Sequence, residues 1–346
     1  MSQLRWDPLK KSWVVITRSP GRGPHDYFRE REEPQLEICP FCYGQETRTP
    51  HEVFALRPDG GAVDTPGWRV RVIPNKYPVL RIEGNLEIQE HGLYESMDGV
   101  GAHEIIIENP DHGRHLAQLS TAEILDVLRA WRARLLDLRR DPRFRYLLVF
   151  KNHGIEAGAG IPHSHCQLIA LPITPPVLTT ELDACRDYHQ RHARCLVCDL
   201  LDQELREGER IIRNDGRFLV FSPFAAAAPF EVRIMPLQHG HDFALLDDQA
   251  LESLAAALGD TLLRLFAVLH DPPYNFILHN APPMHLPPEH PDYWESLARD
   301  YHWHLEVVPR LTRVAGFERG TGFYMNPTPP EMASRHLRDA DLSLYR

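Results

Sequence analysis

Apolar residues recur along this chain in two rhythms, and each rhythm occurs in both halves. Ile124, Val127, Leu128, Trp131, Leu135 and Leu138 fall at intervals of three and four, the spacing of one helix face. Ser120-Thr121-Ala122-Glu123 precedes the run with serine and glutamate at capping-box separation, and Asp141-Pro142 follows where a helix must stop. Leu251, Leu254, Leu258, Leu262 and Leu265 repeat the pattern in a second helix over 248–270, closed by Asp271-Pro272-Pro273. Shorter runs rich in β-branched residues predict strands at 69–73, 103–108 and 146–150. The chain opens with a turn at Arg5-Trp6-Asp7-Pro8, a strand over 13–17 and the loop Arg18-Ser19-Pro20-Gly21-Arg22-Gly23-Pro24.

One stretch breaks the apolar rhythm from within: Ile161-Pro162-His163-Ser164-His165-Cys166-Gln167-Leu168-Ile169-Ala170-Leu171. It leaves a glycine-rich run at 154–160 and reads as a strand. Side chains alternate along a strand, so His163, His165 and Gln167 share a face. Polar groups there are costly to bury without partners, which points to a ligand, a metal or a phosphate. The glycines ahead of them let backbone amides approach an anion closely.

The same landmarks return in the same order further along. Cys195-Leu196-Val197-Cys198 answers Cys39-Pro40-Phe41-Cys42, and the run 230–239 answers the strand that leads to His112. Residues 274–280 answer 146–152, and His302-Trp303-His304 stands where His163-Ser164-His165 stood. An ordered series of matches is the mark of an internal duplication. The predicted class is α+β, with halves 1–175 and 176–346, each a largely antiparallel sheet with packed helices.

At 346 residues, 43% hydrophobic and 25% charged, the chain has the make-up of a globular enzyme with a large core. A formal charge of −10 argues against nucleic acid as the main partner. No run is long enough to span a membrane and residues 1–13 are too polar for a signal peptide, so a cytoplasmic location is expected. In that reducing setting the two Cys-x-x-Cys pairs read as thiolate ligands for zinc, and Cys166 and Cys185 as buried free thiols. Adding the histidine after each apolar strand and the first of each His-x-His gives Cys39, Cys42, His112 and His163 in one half. The other half supplies Cys195, Cys198, His239 and His302, with His241 as an alternative to His239. Two Cys and two His fill a tetrahedron, which is the closed, structural kind of site. Glu181, His279 and His304 form a further possible grouping around a separate ion.

Arg5-Trp6-Asp7-Pro8, Cys39-Pro40-Phe41-Cys42, Asn75 before Tyr77-Pro78, Lys151-Asn152-His153-Gly154 and His163-Ser164-His165-Cys166-Gln167 together resemble the galactose-1-phosphate uridylyltransferase family. This is the transferase branch of the histidine triad superfamily, built as a tandem of histidine-triad-like halves. Ser164 in place of a proline, Asp271-Pro272-Pro273-Tyr274-Asn275 and the segment 320–327 look like the subgroup that contains plant ADP-glucose phosphorylase. The resemblance implies zinc at both ligand sets, a homodimer, and His165 as a nucleophile that becomes nucleotidylated, with Gln167 hydrogen-bonded to the phosphate. It also implies nucleotide or phosphate contacts from Arg22, Asn75 and Asn152, joined by Gly160 and Ser164 beside the nucleophile. The expected partners are a nucleotide sugar and a sugar 1-phosphate or phosphate, with UDP-glucose and a hexose 1-phosphate as the leading pair. ADP-glucose phosphorolysis, dinucleoside polyphosphate cleavage and a non-catalytic zinc-stabilised nucleotide-binding protein are the alternatives.

Overall fold

The computed structural model describes residues 2–17, 21–28, 38–284 and 293–345; Arg18, Ser19 and Pro20 of the first predicted loop lie outside them. In chain order the first half contains β1 (Gln3–Asp7), β2 (Ser12–Ile16), β3 (Phe54–Leu56), β4 (Val70–Pro74), β5 (Gln89–His91), β6 (Tyr94–Ser96) and β7 (Ala102–Ile107). Helix α1 (Thr121–Leu138), β8 (Tyr146–His153) and β9 (His165–Leu171) follow. The second half contains α2 (Pro176–His192), α3 (Leu196–Glu207), β10 (Ile211–Asn214), β11 (Phe218–Phe221), β12 (Val232–Pro236) and α4 (Asp248–Leu269). It ends with β13 (Tyr274–His279), α5 (Leu297–Asp300), β14 (His304–Pro309), α6 (Gly316–Thr321), β15 (Tyr324–Asn326) and α7 (Pro330–Arg338).

Ten strands form one sheet in the order β10-β11-β12-β14-β13-β8-β9-β7-β4-β3. Read outward from the central β13–β8 pair, the two sides have the same connectivity: β8, β9, β7, β4, β3 against β13, β14, β12, β11, β10. The duplication in the sequence is therefore a pseudo-two-fold in the sheet, and every one of its neighbouring pairs is antiparallel.

Strand alternation sends Val149, Cys166, Leu168, Phe276, Leu278, Leu305 and Val307 to the face covered by α1 and α4, where they join the main core. The two helices touch closely because α4 carries Gly259 at the crossing; a Cβ there would lie 2.8 Å from Ile124 Cδ1. The other face carries His165 and Gln167, and in the second half α2 and α3 close over a smaller core. Among the described residues no helix is long and apolar enough to cross a membrane.

Three elements depart from the pattern reading. Residues 3–7 form a strand, not a turn, and pair with β2, which in turn pairs with β15 in a separate three-stranded sheet. Residues 2–16, assigned above to the half 1–175, thus lie against the second half, where Asp7 accepts from Arg233 at 2.7 Å and Lys10 reaches Glu306 at 2.6 Å. Helices α2 and α3 were not anticipated, because α2 buries only a narrow stripe, Leu178, Glu181, Leu182, Ala184 and Cys185, in an otherwise polar sequence. The Cys195–Cys198 pair consequently sits at a helix start, with Cys195 as the N-cap of α3.

The predicted capping box of α1 is present: Glu123 N–H donates to Ser120 Oγ at 3.3 Å, and Ser120 N–H donates to Glu123 Oε2 at 2.8 Å. Arg114 chiefly, with Ser120, outweighs the opposing effect of burial and holds the Glu123 carboxyl down at about 2, below its ordinary 4.5. Ser120→Ala is expected to cost about 1 kcal/mol in urea unfolding. The folded value is depressed, so the stability lost in Glu123→Gln should be fully present above pH 4.5 and vanish as the pH falls through about 2. A difference that stays constant over that window would remove the charge from the account.

Candidate active site and metal-ligand clusters

His165 opens β9 and is buried, and its ring is aimed by the residue two positions earlier. Its Nδ1–H donates to the main-chain carbonyl of His163 at 2.8 Å, which leaves Nε2 as the free nitrogen. Phe41, from the first cysteine turn, packs edge-on against the ring at 5.4 Å between centroids. Burial first, then the nearby Lys151 ammonium, lower the imidazole pKa to about 4, so the ring is neutral at physiological pH. A neutral, oriented imidazole with one free lone pair is a nucleophile rather than a cationic anion-binder.

His163 itself lies in the bend before the strand, not within it as the pattern suggested. Its Nε2–H donates to the carbonyl of Asn109 at 2.8 Å, so Nδ1 is unprotonated and faces Cys39 at 3.7 Å and Cys42 at 3.6 Å. His112 Nδ1 lies 3.5 Å from Cys42 Sγ. The second half repeats this: His302 donates to Pro236 O at 2.9 Å and turns Nδ1 to Cys198 at 3.6 Å and Cys195 at 3.9 Å. His239 donates to Ala298 O at 3.1 Å and sets Nδ1 3.6 Å from Cys198. In a tetrahedral site with bonds of roughly 2.0 and 2.3 Å, the sulfur-to-nitrogen edge is roughly 3.6 Å, so both sets fit a bound metal. All four ligand atoms of each set lie within 4.8 Å of one another, and His239 rather than His241 completes the second.

Glu181, His279 and His304 form a third group that could hold an ion, and all three are buried. Here burial works against charge, yet Glu181 and Glu306 outweigh it and raise His279 to about 9. A proton on His279 therefore already supplies a positive charge between those carboxylates.

Gln167 shares the face of His165, and its Oε1 lies 2.8 Å from His103 Nε2. Asn75 reaches the same His103 ring, so it joins Gln167 through that residue. Asn152 lines the cleft beside His165 and accepts from Asn275 at 2.8 Å. The cleft's rim turns at Gly154, with φ at +82° and a Cβ that would meet Pro273 at 2.9 Å, so only glycine fits. Gly160 lies between the lining residues Ala159 and Ile161, with open space where a side chain would point. Ser164 turns its hydroxyl away from the free face of His165, donating to Glu108 at 2.5 Å. Arg22 is exposed and does not line the cleft; its backbone is pinned to Pro327 and Thr328. Cys166 and Cys185 are buried free thiols, and Cys166 accepts from Trp131 at 3.0 Å. A cavity of about 560 Å³ opens mainly against the second half, where His279 and Glu306 line it together with Tyr146 and Leu148 of β8.

The pattern reading missed Glu108 and gave Lys151 no role. Lys151 is fully buried under the strand and donates to Glu108 at 2.6 Å, Ser164 Oγ at 3.1 Å and the carbonyl of His165 at 2.9 Å. A lysine and a glutamate inside apolar strand sequence were the available signal, since neither is buried without a partner.

Two family descriptions match the chain: "Galactose-1-phosphate uridyl transferase, N-terminal domain" over residues 69–175 and the corresponding C-terminal domain over 181–325. ADP-glucose phosphorylase of Arabidopsis thaliana is 35% identical over 99% of this chain and 93% of its own length. Galactose-1-phosphate uridylyltransferase of Thermotoga maritima is 26% identical over 99% of this chain and 100% of its own. The crystal structure of the Arabidopsis ADP-glucose phosphorylase with bound ADP-glucose aligns with a TM-score of 0.82 at 33% identity, covering 99% of this chain and 100% of that one.

Lys151→Met leaves the buried Glu108 without its counter-charge, with the Ser164 hydroxyl still donating to it. It is expected to destabilise the chain by about 3–5 kcal/mol, read as a fall in thermal midpoint, with Glu108→Gln in the same chain recovering part of the loss. An unchanged midpoint would show that the pair does not hold β8 to the end of β7.

Proposed function

We propose that this chain, which belongs to the galactose-1-phosphate uridyl transferase family, moves a nucleoside monophosphate from a nucleotide sugar to a phosphate through a covalent nucleotidyl-His165. The observation that carries this reading is the single hydrogen bond that commits His165 Nδ1 to the His163 carbonyl and leaves Nε2 free at the cleft. A sugar nucleotide shields its α-phosphorus with negative oxygens, which repel an anionic attacker but not a neutral imidazole. His165 Nε2 forms a bond to that phosphorus as the bond to the bridging oxygen breaks, and the sugar 1-phosphate leaves with the electron pair. An oxygen of the acceptor phosphate then forms the new bond to phosphorus, and the nitrogen–phosphorus bond breaks to restore neutral His165.

Gln167 donates to a non-bridging oxygen and so spreads the charge that grows there. Asn152 lies close enough to hold the same phosphates, and Arg22 and Asn75 are placed to act only at longer reach. The two Cys₂His₂ sets would hold zinc of the structural kind, and His163 and His302, fixed as its ligands, would brace the starts of β9 and β14. UDP-glucose with a hexose 1-phosphate is the substrate pair of the family at large. The higher likeness to an ADP-glucose phosphorylase favours ADP-glucose with inorganic phosphate as a second reading.

Incubation with each nucleotide sugar separately, followed by intact-mass measurement, is expected to show a uridylyl or adenylyl adduct. The adduct should be absent in His165→Ala and discharged by the matching acceptor. Mononucleotide accumulating without acceptor would instead mean hydrolysis, and binding without any adduct would mean no turnover. Metal analysis is expected to find two zinc ions per chain, one lost in Cys39→Ser and the other in Cys198→Ser, each with lowered thermal stability. Normal metal content in both variants would sink the ligand assignment.

A further inference from the structure

We infer that His103 is a positioning residue whose ring fixes which end of the Gln167 amide faces the substrate. A glutamine amide can present either an oxygen or an NH₂ group, and only the NH₂ end can donate to a phosphate oxygen. Nothing in Gln167 itself selects the end, so its surroundings must.

The selection begins at a group whose polarity cannot change. The backbone N–H of Val79 donates to His103 Nδ1 at 3.3 Å, which makes that nitrogen an acceptor. A neutral imidazole carries one proton, so Nε2 must hold it and donates to Gln167 Oε1 at 2.8 Å. The Gln167 oxygen is then engaged, and the NH₂ group is left for the ligand.

Asn75 supports the arrangement. Its Oδ1 accepts from Tyr77 N–H at 2.9 Å, so its amide nitrogen faces His103, and its own N–H donates to the His103 carbonyl at 2.8 Å. That side-chain nitrogen lies 3.1 Å from Nε2 and 3.4 Å from Nδ1, so it packs across the ring rather than in line with one lone pair. Two backbone N–H groups, at Tyr77 and Val79, thereby set the polarity of a chain that ends at Gln167. Burial also holds the His103 pKa below its ordinary value, which keeps the ring singly protonated near neutral pH.

This inference rests on the phosphate-binding role proposed for Gln167, and the experiment separates the two. In ¹⁵N-histidine spectra of the ligand-free chain, His103 is expected to show an unprotonated Nδ1 and a protonated Nε2, its signals identified by their loss in His103→Gln. The opposite tautomer overturns the inference. In single-turnover adduct formation, His103→Leu is expected to be about 10- to 100-fold slower than wild type, the scale of a misplaced donor. The loss should appear in the rate and not in substrate KM, and His103→Gln, which keeps a donor, should restore part of it. Combining His103→Leu with Gln167→Leu should add little to the loss from Gln167→Leu alone; additive losses overturn the inference. A wild type that forms no adduct sinks the proposed reaction instead, and the spectrum then decides the orientation of Gln167 by itself.

Discussion

A hydrogen bond from a ring nitrogen to a carbonyl two residues back is the constraint on which the site depends. His165 can be aimed by His163 only because His163 is itself immobile, tied through Nε2 to Asn109 and turned through Nδ1 to the cysteine pair. Each link removes one rotation, and together they turn a flexible side chain into a fixed lone pair. Lys151, donating to the carbonyl of His165 from beneath, fixes the strand from its other side. Its positive charge also disfavours a proton on His165. Burial comes first in holding that ring neutral, and the lysine that anchors the backbone adds to it at the proposed nucleophile.

The second half shows what the same device becomes when its ring is buried and hemmed in by charge. His304 keeps the geometry of His165, with Nδ1 3.3 Å from the carbonyl of His302, but it is wholly buried. His279 stacks on it at 4.4 Å and 10°, and Glu306 stands where Gln167 stands in the first half. Lys10 and Arg233 pair with that glutamate: Lys10 comes from the β1–β2 hairpin, which packs on this half, and Arg233 stands opposite it on the neighbouring β12. Duplication supplied two corresponding frames, and in one of them the second histidine is buried beneath an ionic network. The proposed reaction is thereby confined to the other.

What was legible from the sequence was whatever depends on short spacing or on order. His163, His165 and Gln167 are two residues apart, so a strand relates them without further knowledge. The two metal-ligand sets followed from repeated landmarks, since neither Cys pair names its own histidines. The Ser120–Glu123 cap and both long helices follow from local patterns. What was not legible depends on chain closure. His103 lies 64 residues from Gln167 and meets it across two paired strands, diagonal to the register that sets Ile105 against Gln167. Glu108 meets Lys151 from 43 residues away. The β1–β2 hairpin joins β15 more than three hundred residues later, and no periodicity encodes that pairing.

The protons around Gln167 also bear on which leaving groups the proposed reaction can expel. An amide side chain cannot give up a proton, and the nearest ring proton, on His103 Nε2, is directed into the Gln167 oxygen and not into the cleft. His165 offers none either, since its one ring proton is held by the His163 carbonyl. A group that must be protonated as it departs, such as an alkoxide, finds no donor among these three residues. A sugar phosphate departs as a stable anion and needs none. The arrangement of hydrogen bonds thus favours exchange between phosphates, and it does so through where each proton already points.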